Sequence, residues 1–550
     1  MKKNNSSLLR VKLVFTRTLY SQSSASLTMG SLAAYLRSSG FQVDLCLLDE
    51  KNLLESGSAF GESSGHDVVI AKPNFKDFRE MFSLLERLKK GNLIKRVFLC
   101  GPFAKRNATD LLSRLAWVDG VLMDQLEPSA LGLISTMSAD YMSWDFNVPG
   151  VISRNTKTFL TEGHQPLFKP IMLSELPFPA RDVERDEDVS FVNIEGSRGC
   201  LFSCSFCHIP LMFEIPTVVS QLNVRDPIKV VDEIERLNRE MGKTLFIFND
   251  SCFWSTKKDD DRIFCFCREI KKRNLDVHFY VYLKGEPFIG DELLSALASA
   301  GLVRVFLGVE NSVKTSLATY RKKVRPDLYE TVKAKLDKLG INIHIGYITI
   351  EPYSSLDDVL SNVEYLFRIG KLFRFGVILE PVRVVPGSSL HRKLVDDCLM
   401  HPTLGYDEVT YGYRFSHPEV GQLLAQWKSI LQGQIKDVAY EFEYYSTTGE
   451  LLRVLAERID PAFVGRLQES YLVFNALKLQ GMNVLLGYFR SSIQLAREGR
   501  THTIGNQDCD RDFSRQFTGI TKDLGFQHGS IISLIRHYGG ERIIREVYPK

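Results

Sequence analysis

Three closely spaced cysteines constrain this chain more than any other feature of its sequence. Cys200, Cys204 and Cys207 follow one another with the spacing C-x3-C-x2-C. Three thiolates at this spacing can ligate three irons of a [4Fe–4S] cluster and leave the fourth iron open to a substrate or cofactor. A zinc site and three unrelated buried thiols are the alternatives. Zinc usually takes a fourth nearby Cys or His, and His208 directly follows Cys207, which is poor geometry for a shared tetrahedral site.

The residues around the cysteines predict a loop at the end of a strand. Residues 191–195 have a strand pattern, and residues 226–241 carry apolar side chains along one helical face. Gly199 allows a tight backbone turn before the first cysteine. Phe202 and Phe206 supply apolar cover that limits the access of water and oxygen. The cysteines therefore follow a strand's carboxyl end, which is where parallel α/β folds build their active sites.

At this point the chain resembles the radical S-adenosylmethionine (SAM) enzymes, whose signature is this cysteine loop after the first strand of a barrel. The resemblance implies that the open iron chelates the amine and carboxylate of SAM. It also implies that an electron from the cluster cleaves SAM to a 5'-deoxyadenosyl radical, which removes hydrogen from an unreactive carbon. A reducing partner such as flavodoxin or ferredoxin is then expected.

The central part of the chain predicts a partial barrel. Strand patterns alternate with helical patterns, and six strand–helix units match the open (β/α)6 barrel of the family, whereas a complete eight-stranded barrel would need two more. The predicted strands are residues 191–195, 244–248, 277–283, 303–309, 342–350 and 375–381.

Polar residues after these strands are the candidates for binding SAM. Asn249 and Asp250 follow the second strand, and Lys284 follows the third. Glu310 lies in the run 307–312, which resembles the family's fourth-strand motif, where the acid contacts the methionine amino group. Three of these residues also have an alternative role that involves no cofactor. It is a surface ion pair for Glu310, a helix cap for Asp250 and a solvated charge for Lys284.

The N-terminal region predicts a second α/β domain. Strand and helix patterns alternate over residues 11–125, which predicts a doubly wound parallel sheet. Residues 32–43 and 98–103, and the linker 176–182, are similar to the cobalamin-binding domain that precedes the barrel in one class of radical SAM enzymes. The resemblance implies that cobalamin binds here, with Gly101 as a weak candidate contact.

The N-terminal sequence also departs from that domain's pattern. The D-x-H-x-x-G motif, whose histidine ligates cobalt from below, is absent, and the first histidine of the chain is His66. A Cys-Gly pair at 100–101 stands where Gly-Gly is usual. A sheet that only packs against the barrel is therefore the alternative to a cobalamin site.

We expect four segments in the chain. They are a cobalamin-binding-like domain at 1–150, a linker at 151–190, the radical SAM partial barrel at 191–400 and a helical C-terminal domain at 401–550. The helices predicted in the last segment are residues 419–439, 448–458 and 468–497, with a break at Gly481 considered for the third.

Composition excludes several other classes of protein. Apolar residues make up 44% and charged residues 25% of the 550, as in ordinary globular proteins. The net charge of +3 gives no sign of a nucleic-acid partner. No apolar run approaches the roughly 18 residues of a membrane helix, and the other seven cysteines form no disulfide-like framework. We therefore expect a cytoplasmic enzyme that acts on a small molecule, without a membrane partner.

Three functions follow from the sequence, in two classes. The leading hypothesis is a cobalamin-dependent radical SAM methyltransferase that acts on an unactivated carbon in specialised metabolism. A radical SAM enzyme that performs dehydration, epimerisation, ring rearrangement or cyclisation is the second. An iron–sulfur electron carrier or redox sensor is the third, and the predicted barrel with its cofactor pocket disfavours it.

Overall fold

A computed structural model gives the architecture of the chain. It describes residues 9–16, 24–48, 66–74, 78–123, 125–139, 148–154, 171–185, 191–207, 209, 222–284, 290–401, 412–500 and 507–547. The strands are β1 (Arg10–Thr16), β2 (Gln42–Leu48), β3 (His66–Lys72), β4 (Ile94–Leu99), β5 (Gly120–Leu122), β6 (Val151–Ser153), β7 (Phe191–Ile194), β8 (Ser197–Arg198), β9 (Asn223–Val224), β10 (Leu245–Phe248), β11 (His278–Lys284), β12 (Leu302–Glu310) and β13 (Asn342–Tyr347).

Helices connect these strands and form the C-terminal third of the chain. The helices up to the barrel's third strand are α1 (Ser24–Ser38), α2 (Phe78–Lys90), α3 (Gly101–Arg106), α4 (Ala108–Arg114), α5 (Leu126–Ala139), α6 (Asp182–Arg185), α7 (Pro227–Met241) and α8 (Asp260–Lys272). The later ones are α9 (Asp291–Ala300), α10 (Lys314–Thr319), α11 (Tyr329–Lys338), α12 (Leu356–Arg368), α13 (Phe375–Ile378), α14 (Ser389–Asp396), α15 (Pro418–Lys428), α16 (Lys436–Ile459), α17 (Ala462–Arg497), α18 (Gln507–His537) and α19 (Glu541–Val547). No helix among the described residues has the length and apolar character to cross a membrane.

The N-terminal sheet is doubly wound, as the sequence predicted. Its strand order is β2-β1-β3-β4-β5-β6, with the first five strands parallel and β6 antiparallel to β5. Leu13 and Phe15 of β1 pack on the face covered by α1 and α5, whereas Val14 packs on the face covered by α2 to α4. Because helices cover both faces, the central strands are almost wholly apolar.

The central sheet forms an open barrel of parallel strands. Its order is β13-β12-β11-β10-β7, so each strand pairs with the next one of the barrel along the chain. Along β11, Phe279, Val281 and Leu283 pack against the surrounding helices, and Tyr280 and Tyr282 alternate with them on the inner face. The inner face of β11 therefore carries the two tyrosines, whereas its outer face is apolar.

One predicted barrel strand is wrong. Residues 375–381 do not form a strand, because Phe375–Ile378 forms the one-turn helix α13. Glu443 of α16 accepts a hydrogen bond from the amide N–H of Phe375 at 3.0 Å and so holds the start of this turn. Among the described residues the barrel sheet has five strands. The next segment runs beside the residues that follow β13, since the amide of Val382 donates to the carbonyl of Ile350.

The C-terminal helices pack at the amino ends of the barrel strands. Arg458 of α16 donates to the carbonyls of Leu339 and Gly340, just before β13. Glu546 of α19 lies 2.7 Å from His278 at the start of β11. Two helices, α18 and α19, were not predicted from the sequence. The helices predicted at 419–439 and 448–458 have other boundaries in the structure. Helix α15 is followed by a π-helical turn, and α16 is then continuous from Lys436 to Ile459.

The helix considered broken at Gly481 is continuous. Helix α17 runs through Gly481 without interruption. A Cβ atom added at this glycine would lie 2.4 Å from the ring of Phe442, so the glycine serves close helix packing. The interhelical contact explains why a residue of poor helical propensity stands here.

Close packing also fastens the linker to both α/β domains. The amide of Ala180 donates to the carbonyl of Gly30 at 2.9 Å, and a Cβ at Gly30 would lie 2.4 Å from the carbonyl oxygen of Ala180. Next to it, Arg181 and Arg225 both pair with the fully buried Glu233 of α7, at 2.8 and 2.5 Å. Removing either arginine would leave a buried charge partly uncompensated, which is costly.

Candidate active site

The three cysteines lie on one loop that follows β7, and the loop is tied to the end of α10. The Ser205 amide donates to the carbonyl of Tyr320 at 2.9 Å, and the Ser205 hydroxyl donates to the carbonyl of Thr319 at 2.7 Å. The ring of Phe206 packs edge-on against Tyr320, with 5.0 Å between ring centroids. Gly199 opens the loop with a left-handed φ of 97°. The loop therefore has a fixed backbone on the barrel side.

All three thiols are free and partly buried, which is the state expected of ligands. Cys200, Cys204 and Cys207 form no disulfide, and each has intermediate exposure. Burial raises the pKa of all three thiols, and for Cys200 it does so to about 12. The amide of Ile209 lies 3.5 Å from the sulfur of Cys207 and favours its thiolate. A bound metal would offset the effect of burial, because coordinated thiols are deprotonated.

Glu310 stands at the barrel mouth in an unusual backbone conformation. Its φ is 71°, at a register irregularity between β12 and β13. A non-glycine residue in this region is strained, and such strain is concentrated at functional sites. A Cβ at Gly308 would lie 2.6 Å from the Glu310 carboxylate, so this glycine makes room for it. The irregular strand end thus directs one carboxylate toward the cysteine loop, where it opposes ionisation of Cys204 and Cys207.

Sequence reasoning missed Lys322, which forms an ion pair with Glu310. The Lys322 ammonium lies 2.7 Å from Oε1 of Glu310, and the two side chains are only 9% and 12% exposed. Lys322 also favours the thiolate of Cys204. No motif identified it, because it lies in an irregular segment after α10, and only the fold brings it to the strand end.

Lys284 lies beside the same loop, as its place after the third barrel strand suggested. Its ammonium is 4.3 Å from the ring centroid of Phe202, a cation–π contact with the cysteine loop. It also favours the thiolate of Cys204. Asn249 follows β10, is half-buried, and its amide donates to the carbonyl of Ile194 at 2.9 Å. Lys284 and Glu310 thus approach Cys204 from neighbouring strands.

Asp250 binds the segment just before the three cysteines. Its carboxylate accepts the amide N–H of Gly196 at 2.7 Å and the hydroxyl of Ser197 at 2.6 Å. The side chain is buried, and burial raises its pKa to about 6. Both carboxylate oxygens are used, so the geometry does not favour the sequence hypothesis that Asp250 contacts SAM. The contacts are not those of the alternative, a helix cap, either, because Gly196 and Ser197 belong to the segment after β7 and to no helix.

An ion-pair network joins the cysteine loop to the N-terminal domain. Arg198, two residues before Cys200, pairs with Glu127 at 2.8 Å and with Glu195 at 2.9 Å. Glu127 also accepts the hydroxyl of Ser31, at 3.3 Å. Since Glu127 lies in the first turn of α5, directly after β5, the network connects the barrel mouth to the carboxyl edge of the N-terminal sheet.

The carboxyl edge of the N-terminal sheet has the features of a ligand site. Gly101 follows β4 with a φ of 84°, and a Cβ there would lie 3.0 Å from the stem of Lys72. Thr16 at the end of β1 and Ser129 in α5 are buried, and their hydroxyls lack a hydrogen-bond partner among the described residues. Buried polar groups are normally paired, so these two hydroxyls fit a polar ligand at this edge.

The residues at the barrel mouth fit the groups that a radical SAM site holds. Three cysteine thiols are the donor set of an iron–sulfur cluster. A carboxylate and an ammonium beside them match the two charged groups of an amino acid. Within the described ranges, no three His, Cys, Asp or Glu side chains converge on a single metal ion. A cluster has a different requirement, because each thiolate ligates a separate iron.

Comparisons with known proteins agree with this geometry. Residues 194–366 match the Radical SAM superfamily. The anaerobic magnesium-protoporphyrin IX monomethyl ester cyclase of Rubrivivax gelatinosus is 34% identical over 128 residues, which are 23% of this chain and 21% of the cyclase. The hopanoid C-3 methylase of Methylococcus capsulatus is 26% identical over 292 residues, which are 51% of this chain and 53% of the methylase. The chain thus matches about a fifth of the first relative and about half of the second.

Among solved structures, the fold is similar to that of the cobalamin-dependent SAM radical enzyme OxsB, solved with aqua-cobalamin and SAM bound. The TM-score is 0.67 at 17% identity, over 94% of this chain and 80% of OxsB. The similarity extends over the sheet, the barrel and the helical region alike. The radical SAM domain implies a [4Fe–4S] cluster and SAM as cofactors. Residues 194–366 thus match the radical SAM superfamily, and the fold of the chain is similar to that of a cobalamin-dependent SAM radical enzyme.

Proposed function

We propose that the protein is a cobalamin-dependent radical SAM methyltransferase that acts on an unactivated carbon of a small molecule. The observation that carries the proposal is the Arg198–Glu127 ion pair, which joins the cysteine loop to the carboxyl edge of the N-terminal sheet. Ligands of doubly wound sheets bind beyond this edge. A cofactor held there and a cofactor held at the cysteines would therefore lie on the same side of both domains.

We assign roles to the residues at the barrel mouth on the basis of their chemistry. Cys200, Cys204 and Cys207 would hold the cluster, and Glu310 would accept the ammonium of SAM. When bound, these groups together with cobalamin supply hydrogen abstraction from carbon and a transferable methyl group. The chain's own contribution is to hold the two sites at a fixed separation and to keep the cysteine loop partly shielded from water.

The relatives support methyl transfer and also a second reaction class. The hopanoid C-3 methylase is a methylating relative that matches half of this chain. The magnesium-protoporphyrin cyclase is a relative whose name describes ring formation, and it has the higher identity over a shorter segment. A non-methylating radical SAM reaction is therefore the second candidate, and the substrate of either is a small molecule.

Cobalamin binding distinguishes the two candidates. The chain has no histidine in its first 65 residues, so we predict that cobalt is bound without a histidine on its lower face. Protein produced anaerobically with cobalamin should bind about one cobalt per chain, and electron paramagnetic resonance of the Co(II) form should lack nitrogen superhyperfine splitting. Nitrogen splitting would contradict the ligand prediction. Absence of bound cobalamin with an intact cluster would defeat the methyltransferase proposal and favour the second candidate.

A matched variant tests the link between the two sites. Glu127→Gln keeps the shape of the side chain but removes the charge that pairs with Arg198. We expect iron content and SAM cleavage to persist, and methyl transfer per SAM cleaved to fall, because the two cofactor sites lose their fixed spacing. Glu86→Gln, at an exposed i,i+4 pair on α2, is the control and should leave the ratio unchanged. An unchanged ratio in Glu127→Gln would remove the network from the proposal.

A further inference from the structure

The inner face of the barrel carries an excess of positive charge far from its mouth. Tyr280, Arg304 and Asn342 lie in one register row across β11, β12 and β13. Arg304 is six residues before Glu310, about 20 Å along the strand. The next inward-facing row toward the mouth holds Tyr282, Phe306 and His344. We call the space lined by Tyr280, Arg304, His344 and Arg374 the floor pocket.

The floor pocket contains a guanidinium without an anionic partner. Arg304 makes no hydrogen bond or ion pair within the part of the chain that the structure describes, and its Nε is shielded from water and unpaired. Its contact is with the ring of Tyr280, whose centroid lies 5.6 Å from Cζ. The buried arginines Arg96, Arg181 and Arg225 are all ion-paired, whereas the half-buried Arg304 is not. An unpaired charge in such a place is costly unless a ligand compensates it.

A second guanidinium faces the same space. Arg374 donates from Nη2 to Nε2 of His344 at 2.6 Å, so this nitrogen is the unprotonated acceptor of a neutral imidazole. Nδ1 of His344 lies 3.1 Å from the hydroxyl of Tyr280. The Nε of Arg374 is 3.4 Å from Glu443 but forms no hydrogen bond there. Arg374 also donates from Nη1 to the hydroxyl of Thr447 at 3.3 Å. Each arginine thus keeps an Nε–H donor that the protein does not use.

The charges around the floor pocket do not balance. Glu450 is committed to two lysines, Lys371 at 2.6 Å and Lys478 at 2.9 Å. With Arg304 and Arg374 these lysines make four cations, against the two carboxylates Glu443 and Glu450. The excess is two positive charges. All four residues that line the pocket keep partial exposure.

We propose that the floor pocket binds an oxyanion of the phosphate class, held by Arg304 and Arg374. Guanidinium groups bind phosphate through paired N–H donors, and two excess positive charges match a doubly charged phosphate. Tyr282 and Phe306, whose ring centroids are 5.1 Å apart, share the register row of His344 and border the pocket on the side of the mouth. The oxyanion is either a free phosphate ion or the phosphate group of a larger molecule. The site does not depend on the proposed function, because neither the cluster nor SAM takes part in it.

The test is a calorimetric titration of the full-length chain, exchanged into phosphate-free buffer, with inorganic phosphate. We expect one saturable site per chain. Arg304→Gln should weaken the binding about ten- to a hundredfold, through loss of charge-assisted hydrogen bonds. Arg325→Gln removes a surface arginine that is 67% exposed and should bind like the wild type. No saturable binding by the wild type would overturn the proposal, as would wild-type affinity in Arg304→Gln.

Two further arms complete the experiment. If circular dichroism shows that Arg304→Gln is unfolded, Arg304→Lys replaces it, because it keeps the charge but loses the paired donors. It should still bind several-fold more weakly, and unchanged affinity would overturn the proposal. Ribose 5-phosphate and ribose distinguish the sources of the oxyanion. Ribose 5-phosphate at least tenfold tighter than inorganic phosphate identifies the phosphate group of a larger molecule, whereas equal or weaker binding identifies a free ion. Saturable binding of ribose itself would show that the pocket does not select an oxyanion.

Discussion

Glu310→Gln should weaken SAM binding while leaving the cluster in place. The carboxylate lies 2.7 Å from Lys322, and both side chains are about one-tenth exposed, so charge-assisted hydrogen bonds here are poorly screened by water. Losing one costs about 1.5–3 kcal/mol, or roughly ten- to a hundredfold in affinity. Glutamine keeps the shape of the side chain, so cavity effects do not contribute. Anaerobic calorimetry with SAM on reconstituted protein measures the affinity, and iron content and absorbance verify the cluster.

A double variant separates lost recognition from an unpaired lysine. Glu310→Gln leaves Lys322 without its partner in a partly dry site, which lowers stability. Adding Lys322→Met removes that charge and should restore the free energy of unfolding without restoring SAM affinity. Unchanged affinity in Glu310→Gln with a full cluster would refute the role of this carboxylate. Affinity restored by the double variant would show that the unpaired lysine, not the missing carboxylate, had weakened binding.

Two more predictions follow from the cluster loop and from a buried histidine. Changing Cys200, Cys204 and Cys207 together to Ala should remove about four irons per chain and abolish 5'-deoxyadenosine formation, and retention of full iron content would refute the assignment. Burial lowers the pKa of His528 to about 4, below its unfolded value of about 6.5. The unfolded chain therefore takes up this proton first as the pH falls, so about 3 kcal/mol of stability present above pH 6.5 should be lost by pH 4. In denaturant titrations His528→Phe should lack this part of the acid dependence, and an identical pH profile in both proteins would contradict the argument.

The sequence predicted the order and type of the α/β domains because their patterns are local. Apolar strands bounded by amphipathic helices give both parallel sheets, and the cysteine spacing marks the loop after β7. The strand predicted at 375–381 failed for the same reason. Its apolar run is compatible with a strand, but Glu443 on a helix far away in the sequence binds the amide of Phe375 and stabilises a helical turn instead.

At the candidate site, the sequence by itself determined which residue types follow each strand, and the tertiary structure decided what they contact. Glu310 and Lys284 could be named because they stand at the ends of strands, whose carboxyl ends meet at one edge. Asp250 was named on the same grounds, yet the fold turns it toward Gly196 and Ser197. No local sequence pattern marks Lys322. Its partner, Glu310, comes within reach only because α10 returns the chain to the end of β12. Spacing and periodicity report on neighbours along the chain, whereas ion pairs between separate elements exist only once the sheets and helices have packed.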